Sequence, residues 1–153
     1  MIKDQLLTME DIATKLQDLF ITILGLGPMR DAWATSDHTA QEQNPYYYVR
    51  ISWPTEGSPA FTIDDDFCFI RMFESDDAYN RQREKVVEDI DADTIQESLI
   101  YTRVVEAQVT FYGPKSFTNA HAVRDAMLTD AYRNVLAVDK IYPIPDIPAA
   151  QQV

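Results

Sequence analysis

The residues in this chain that could do chemistry are few, and their spacing limits what they can do. His38 and His121 are the only histidines, and Cys68 is the only cysteine. A zinc site would need two more ligands at suitable spacing beside these histidines, and Cys68 has no helpful neighbour in sequence. Acyl transfer needs a nucleophile beside a base, and no Gly-x-Ser-x-Gly elbow is present. His38 lies in a polar stretch, while His121 is expected in the first turn of a helix, where the dipole disfavours an imidazolium. The set of nucleophile, base and oxyanion donors therefore cannot be filled. Cys68 sits in Phe67-Cys68-Phe69-Ile70, with no cation nearby in sequence, and reads as a buried small hydrophobe. Asp89-Ile90-Asp91-Ala92-Asp93 imitates the start of a calcium loop. That loop also needs a glycine at its sixth position and a bidentate glutamate at its twelfth, where this chain has Thr94 and Ile100. Gly25-Leu26-Gly27 follows a helical pattern instead of a strand, so it is no dinucleotide fingerprint. Carboxylates are so abundant that a pair of them says nothing about acid–base work. No catalytic residue, cofactor or metal site is expected.

The composition points the same way. With 25 acidic and 13 basic residues in 153, the net charge is -12. Phosphate binding needs Lys and Arg to displace counterions, so nucleic acid is disfavoured as a tightly held ligand. Anionic membranes are disfavoured for the same reason. A lone cysteine fits a reducing compartment. No apolar run approaches the roughly 20 residues of a membrane span, and the start Met-Ile-Lys-Asp-Gln-Leu-Leu is not a signal peptide. A soluble intracellular protein of one domain is expected, with residues 1–148 in the domain and 149–153 as a polar tail.

Residues 8–24 read as an amphipathic helix, with Ile12, Leu16, Phe20, Ile23 and Leu24 on one stripe. Thr8 and Asp11 resemble a capping box, and Gly25 with Pro28 stops the helix. Strands are expected over 46–53 and 67–73, with a short one over 60–63 before the Asp64-Asp65-Asp66 turn. A long strand is expected over 99–112, its odd positions mostly apolar and its even positions wet, which favours an antiparallel sheet. A second helix is expected over 119–135, capped by Thr118 or Asn119, with Val123, Met127, Leu128, Ala131, Tyr132 and Val135 on its apolar side. The segment Ile141-Tyr142-Pro143-Ile144-Pro145-Asp146-Ile147-Pro148 must be extended. Phe20, Ile51, Phe69, Val105, Val109 and Met127 are the expected core.

Residues 74–97 hold nine acids and three bases, half of the chain's net charge. A connection this long is usually functional or disordered. Two readings stand: an arm that reaches a partner or lines a pore, or a solvated, mobile loop. If it is an arm, Tyr79, Val86, Val87, Ile90 and Ile95 are the residues that would pack on a neighbour. Arg81, Arg83 and Lys85 would then pair with acids of the adjacent copy.

The ordered set Asp76-Asp77-x-Tyr79, Tyr101-Thr102-Arg103, Phe111-Tyr112-Gly113-Pro114, the helix from Ala120 and Tyr142-Pro143 resembles the tail terminator, or neck terminator, proteins of tailed bacteriophages. The likeness covers about residues 10–148. It implies an α+β fold, an antiparallel β-sheet with helices packed on one face and a long acidic β-arm or loop. It also implies a structural virion protein of the tail and neck, assembled in the host cytoplasm. Such proteins form a homo-oligomeric ring, usually a hexamer, at the head-proximal end of the tail tube. The ring stops tube polymerisation and joins the tail to the neck or connector. The implied partners are the tube protein, the connector protein and further copies of the chain, and DNA passes the lumen without specific binding. Relatives commonly continue past the proline-rich tail into another short strand, so the last sheet edge here is either incomplete or supplied by a neighbour.

Other readings fit the composition. A different head–tail connector or tail-completion component is one, and an acidic module that binds or inhibits a basic host protein is another. An enzyme comes third.

Overall fold

The computed structural model describes residues 7–26, 48–51, 64–81, 83–91, 94–144 and 147–151. Their elements run, in chain order, α1 (Met9–Ile23), β1 (Val49–Ile51), β2 (Phe67–Glu74), a 3-10 turn (Ala78–Arg81), β3 (Arg83–Asp91), β4 (Thr94–Tyr101), β5 (Val105–Tyr112), α2 (Ser116–Met127) and α3 (Asp130–Ala137). The fold is α+β, as expected. The chain divides into two compact parts, Met1–Arg71 with Val109–Val153, and Met72–Gln108.

Helix α1 begins and ends as its sequence dictates. Thr8 Oγ1 accepts from the Asp11 amide at 3.1 Å, and Asp11 Oδ2 accepts from the Thr8 amide at 2.8 Å, closing a capping box. At the other end the Leu26 amide donates to the Ile21 carbonyl at 3.0 Å and the Gly25 amide to Thr22 at 3.2 Å. This is a Schellman stop, and Gly25 takes the left-handed φ of +66° that it requires.

The amide and hydroxyl of Thr8 hold the Asp11 carboxyl below the usual carboxylate range, and Lys15 adds a smaller effect in the same direction. A lowered folded-state pKa contributes stability above the unfolded value, and that contribution is lost as pH falls through the folded value. Asp11→Ala should therefore melt below the wild type at neutral pH. The gap should close once the solution is acidic enough to protonate Asp11 in the folded chain, as followed by circular dichroism. A gap that persists unchanged into strong acid would contradict the charged cap.

The buried stripe of α1 is Ala13, Leu16, Leu19, Phe20 and Ile21. It is rotated from the expected one, since Ile12, Ile23 and Leu24 are only half-buried. Gln17, a polar residue outside the expected apolar stripe, is buried, and its Nε2 donates to the Val49 carbonyl at 2.6 Å. A buried amide is tolerated because the bond replaces its lost water. Helix α1 packs on β1 and on α2, and α2 packs on α3.

Strand β1 pairs with β2 in parallel, Val49 opposite Cys68 and Ile51 opposite Ile70. The three-stranded sheet has the order β1-β2-β5 and is mixed, which corrects the antiparallel expectation. Cys68, Phe69 and Ile70 are successive residues with opposite facings, and all are buried. The central strand is thus covered on both faces, and its unbroken apolar run meets that demand. Of the expected core, Phe20 and Phe69 are buried, whereas Ile51, Val105, Val109 and Met127 are half-buried. The expected strand over 60–63 lies outside the described residues.

The expected strand over 99–112 is two strands in two sheets. Thr102, Arg103 and Val104 leave the ladder between β4 and β5. The cause lies 24 residues away in sequence: the Asn80 side chain accepts from the Val104 amide and donates to the carbonyls of Val104 and Ser75. The Ser75 amide also donates to the Val104 carbonyl at 3.2 Å. With its backbone groups satisfied in this way, Val104 has no need of a ladder partner.

The expected helix over 119–135 is likewise two. It starts earlier, at Ser116, with Lys115 as N-cap and no side-chain cap, so Thr118 and Asn119 lie inside it. It stops at Met127, and Thr129 takes an extended conformation before α3 begins. The break shifts the phase of the apolar pattern. Val123 and Leu136 are buried, while Leu128, Ala131 and Val135 are exposed.

Candidate functional site

The eight residues singled out as a contact surface fall on one continuous stretch. Tyr79 and Arg81 lie in the 3-10 turn; Arg83, Lys85, Val86, Val87 and Ile90 are in β3; Ile95 is in β4. Strands β3 and β4 form a two-stranded antiparallel ribbon in which Lys85 is opposite Leu99, Val87 opposite Glu97 and Asp89 opposite Ile95. Lys85 and Val87, two apart in an extended strand, fall on one face of the ribbon. Lys85 and Val87 are exposed, Val87 to 54 %. Asp89 and Asp91 are residues of an extended strand with a register shift between them, and Asp93 lies outside the described residues.

The segments that carried the sequence likeness turn out to be joints. Asp76 and Asp77 lead into the 3-10 turn that presents Asn80, and Thr102-Arg103 is the break that Asn80 holds. Arg103 Nε reaches the Glu74 carboxylate at 3.7 Å, an exposed pair that adds little. Asn80 itself carries no sequence signal of its role.

Phe111-Tyr112-Gly113-Pro114 is a corner between β5 and α2. Gly113 has φ +100°, and a Cβ there would stand 2.5 Å from the Asp65 carbonyl oxygen and 2.7 Å from Asp66 Cα. Only glycine fits so close to a neighbouring backbone. Asp66 Oδ1 accepts from the Lys115 amide at 2.7 Å, placing a carboxylate at the start of α2, where the helix dipole favours it. Tyr112 stacks on Phe67 with ring centroids 5.2 Å apart, and Phe69 meets Tyr112 edge-on at 6.0 Å. These contacts bind the turn before β2 to the turn after β5. The motif is therefore architectural.

The tail after α3 is neither helix nor strand over its described residues 141–144 and 147–151. It is held by Arg124 Nε, which donates to the Ile147 carbonyl at 3.2 Å, and by the Ile141 amide on the Leu136 carbonyl at 3.1 Å. Lys15 Nζ meets Asp139 Oδ2 at 2.6 Å, tying α1 to the end of α3.

An order of segments that a fold needs at its joints is the kind of pattern a family preserves. The phage neck terminator proteins match this chain over residues 10–153. The chain belongs to that family. No curated protein and no solved structure matches it. A neck terminator is a structural component of the phage neck and tail, and its partners are other tail and head components of the virion. Among the described residues no helix is long and apolar enough to cross a membrane.

The remaining reactive groups of this neck terminator have structural surroundings. His121 lies in the second turn of α2, one turn later than expected, with its ring edge-on to Phe117 at 4.5 Å. His38 lies outside the described residues. Cys68 is buried, and burial pushes its thiol up to about 12. The ordinary thiol stands at 9.0, so the thiolate fraction near neutral pH falls about a thousandfold. Iodoacetamide should leave the native chain unmodified by mass spectrometry and label it once denaturant is added. Stoichiometric labelling of the native chain within minutes would contradict a closed core at β2.

Proposed function

We propose that this neck terminator forms a closed ring, of six subunits by analogy with its relatives, on the head-proximal end of the tail tube. The ring stops addition of tube subunits and presents its other surface to the connector. The family match over nearly the whole chain carries this reading. The physical properties of the chain are those the role needs. A closed ring is built from heterologous contacts that complete a rotation, and a ribbon of two strands whose edges are unshared among the described residues offers such contacts. DNA must slide through the lumen, and a chain of net charge -12 does not grip phosphate. The eight residues from Tyr79 to Ile95 are the proposed contact with a neighbouring copy or the tube, and the role needs no catalytic group, metal or cofactor.

The test is a phage whose gene for this chain carries a nonsense codon, examined by electron microscopy. Tubes of uncontrolled length and filled heads without tails are the expected result. Normal tails that only fail to join heads would move the chain to a connector layer and overturn the terminating role.

A further inference from the structure

Val104 lies between β4 and β5 and belongs to neither, yet its backbone amide and carbonyl are both bonded. The Asn80 carboxamide does for it what a neighbouring strand would do. Its Oδ1 accepts from the Val104 amide, and its Nδ2 donates to the Val104 carbonyl at 3.2 Å, the reciprocal pair that a peptide group makes in a ladder. Nδ2 also donates to the Ser75 carbonyl, so the side chain uses both its donors and its acceptor.

Ser75 follows the last residue of β2, and Val104 precedes the first residue of β5. These are the points where the chain leaves the three-stranded sheet and returns to it. The Ser75 amide donates to the Val104 carbonyl at 3.2 Å, and the Asn80 amide is fixed on the Asp77 carbonyl at 3.1 Å. Asn80 is half-buried, which shelters its bonds from competing water. The ladder of the ribbon starts just beyond this clasp, with Arg83 opposite Tyr101. A ribbon of two strands is marginal by itself in water. Bringing its two ends together carries an entropic cost, and a clasp that already joins residues 75 and 104 lifts that cost from the ladder.

We infer that Asn80 is a positioning residue that keeps the β3–β4 ribbon formed in the free subunit, by holding its two stems together at Ser75 and Val104. The inference goes beyond the ring reading and does not depend on it. A ribbon formed before any partner arrives does not have to be ordered on contact. The chemistry is specific to a carboxamide. Aspartate has nearly the same shape but only accepts, and it would set its charge against the Ser75 and Val104 carbonyls.

The test compares the purified wild-type chain with Asn80→Ala and Asn80→Asp by amide hydrogen exchange, read by nuclear magnetic resonance. In both variants the Val104 amide and the ladder amides of β3 and β4 should exchange about tenfold faster or more, while the amides of Cys68, Phe69 and Ile70 in β2 keep their wild-type rates. Ladder amides that stay as slow in Asn80→Ala as in the wild type would overturn the inference, because the ribbon would then need no clasp. Ladder amides already unprotected in the wild type would overturn it too. Wild-type rates in Asn80→Asp would do the same, because the carboxamide donors would then be idle. Equal acceleration in β2, or failure of either variant to fold, would make Asn80 a residue of the whole fold and also contradict the inference.

Discussion

A chain in which Asn-Gly replaces residues 85–99 should fold and melt close to the wild type, yet fail to cap tails. Three observations lead there. Strands β3 and β4 pair only with each other among the described residues. Glu84 and Ile100 stand opposite one another, so a two-residue turn of the hairpin type can close the shortened ribbon. The cut also spares Asn80, whose bonds to Ser75 and Val104 hold the base of the ribbon. A two-stranded ribbon alone is marginally stable in water, so it adds little to the fold that carries it. Its six acids and exposed Val87 are better explained by a partner. Plating on a host that supplies only the shortened chain should fall to the level seen with no chain at all, and tail lengths should lose their uniformity in micrographs. Normal tail lengths with the shortened chain would reduce the ribbon to a solvated loop.

The second large effect is expected at the corner after β5. Gly113→Ala puts a Cβ into two backbone atoms of Asp65 and Asp66 and asks alanine to hold φ at +100°. The strained backbone and the overpacking together should cost about 3 kcal/mol. In a domain of this size that lowers the melting temperature by roughly 6–12 °C. Relief by moving the Asp64–Asp66 turn would break the Asp66–Lys115 bond and disturb the Phe67–Tyr112 stack, so it offers no cheap escape. Gly25→Ala is the control. Its φ is +66° with nothing within 4 Å of the added carbon, so only the left-handed conformation is penalised, at about 1 kcal/mol. Urea unfolding of both variants should show the first losing clearly more than the second. Equal losses would mean that the corner is not the tight joint described above.

What the sequence disclosed and what it hid follow from the range of the interactions. The ends of α1 were legible because Thr8, Asp11 and Gly25 act within four residues of themselves. Strand β2 was legible because four apolar residues in a row suit a strand covered on both faces. The break at Thr102–Val104 was not, since it contains no glycine or proline and is imposed by Asn80 from another segment. Gln17 reads as surface in any pattern of polarity and is buried only because the Val49 carbonyl waits for its amide. The stop at Met127 also lacks glycine or proline, and it turned Val135 outward and Leu136 inward. The eight contact residues were legible as apolar and basic side chains in an acidic stretch, whereas the pairing that carries them, from Arg83 opposite Tyr101 to Asp91 opposite Thr94, was not.

The central claim is that this neck terminator closes the tail tube as a ring. Reconstruction of the neck region of purified virions by cryo-electron microscopy tests it most directly. The account predicts one closed ring of this chain between the last layer of the tube and the connector. Density for the chain in an open or monomeric arrangement, or in a layer that does not touch the tube, would contradict it.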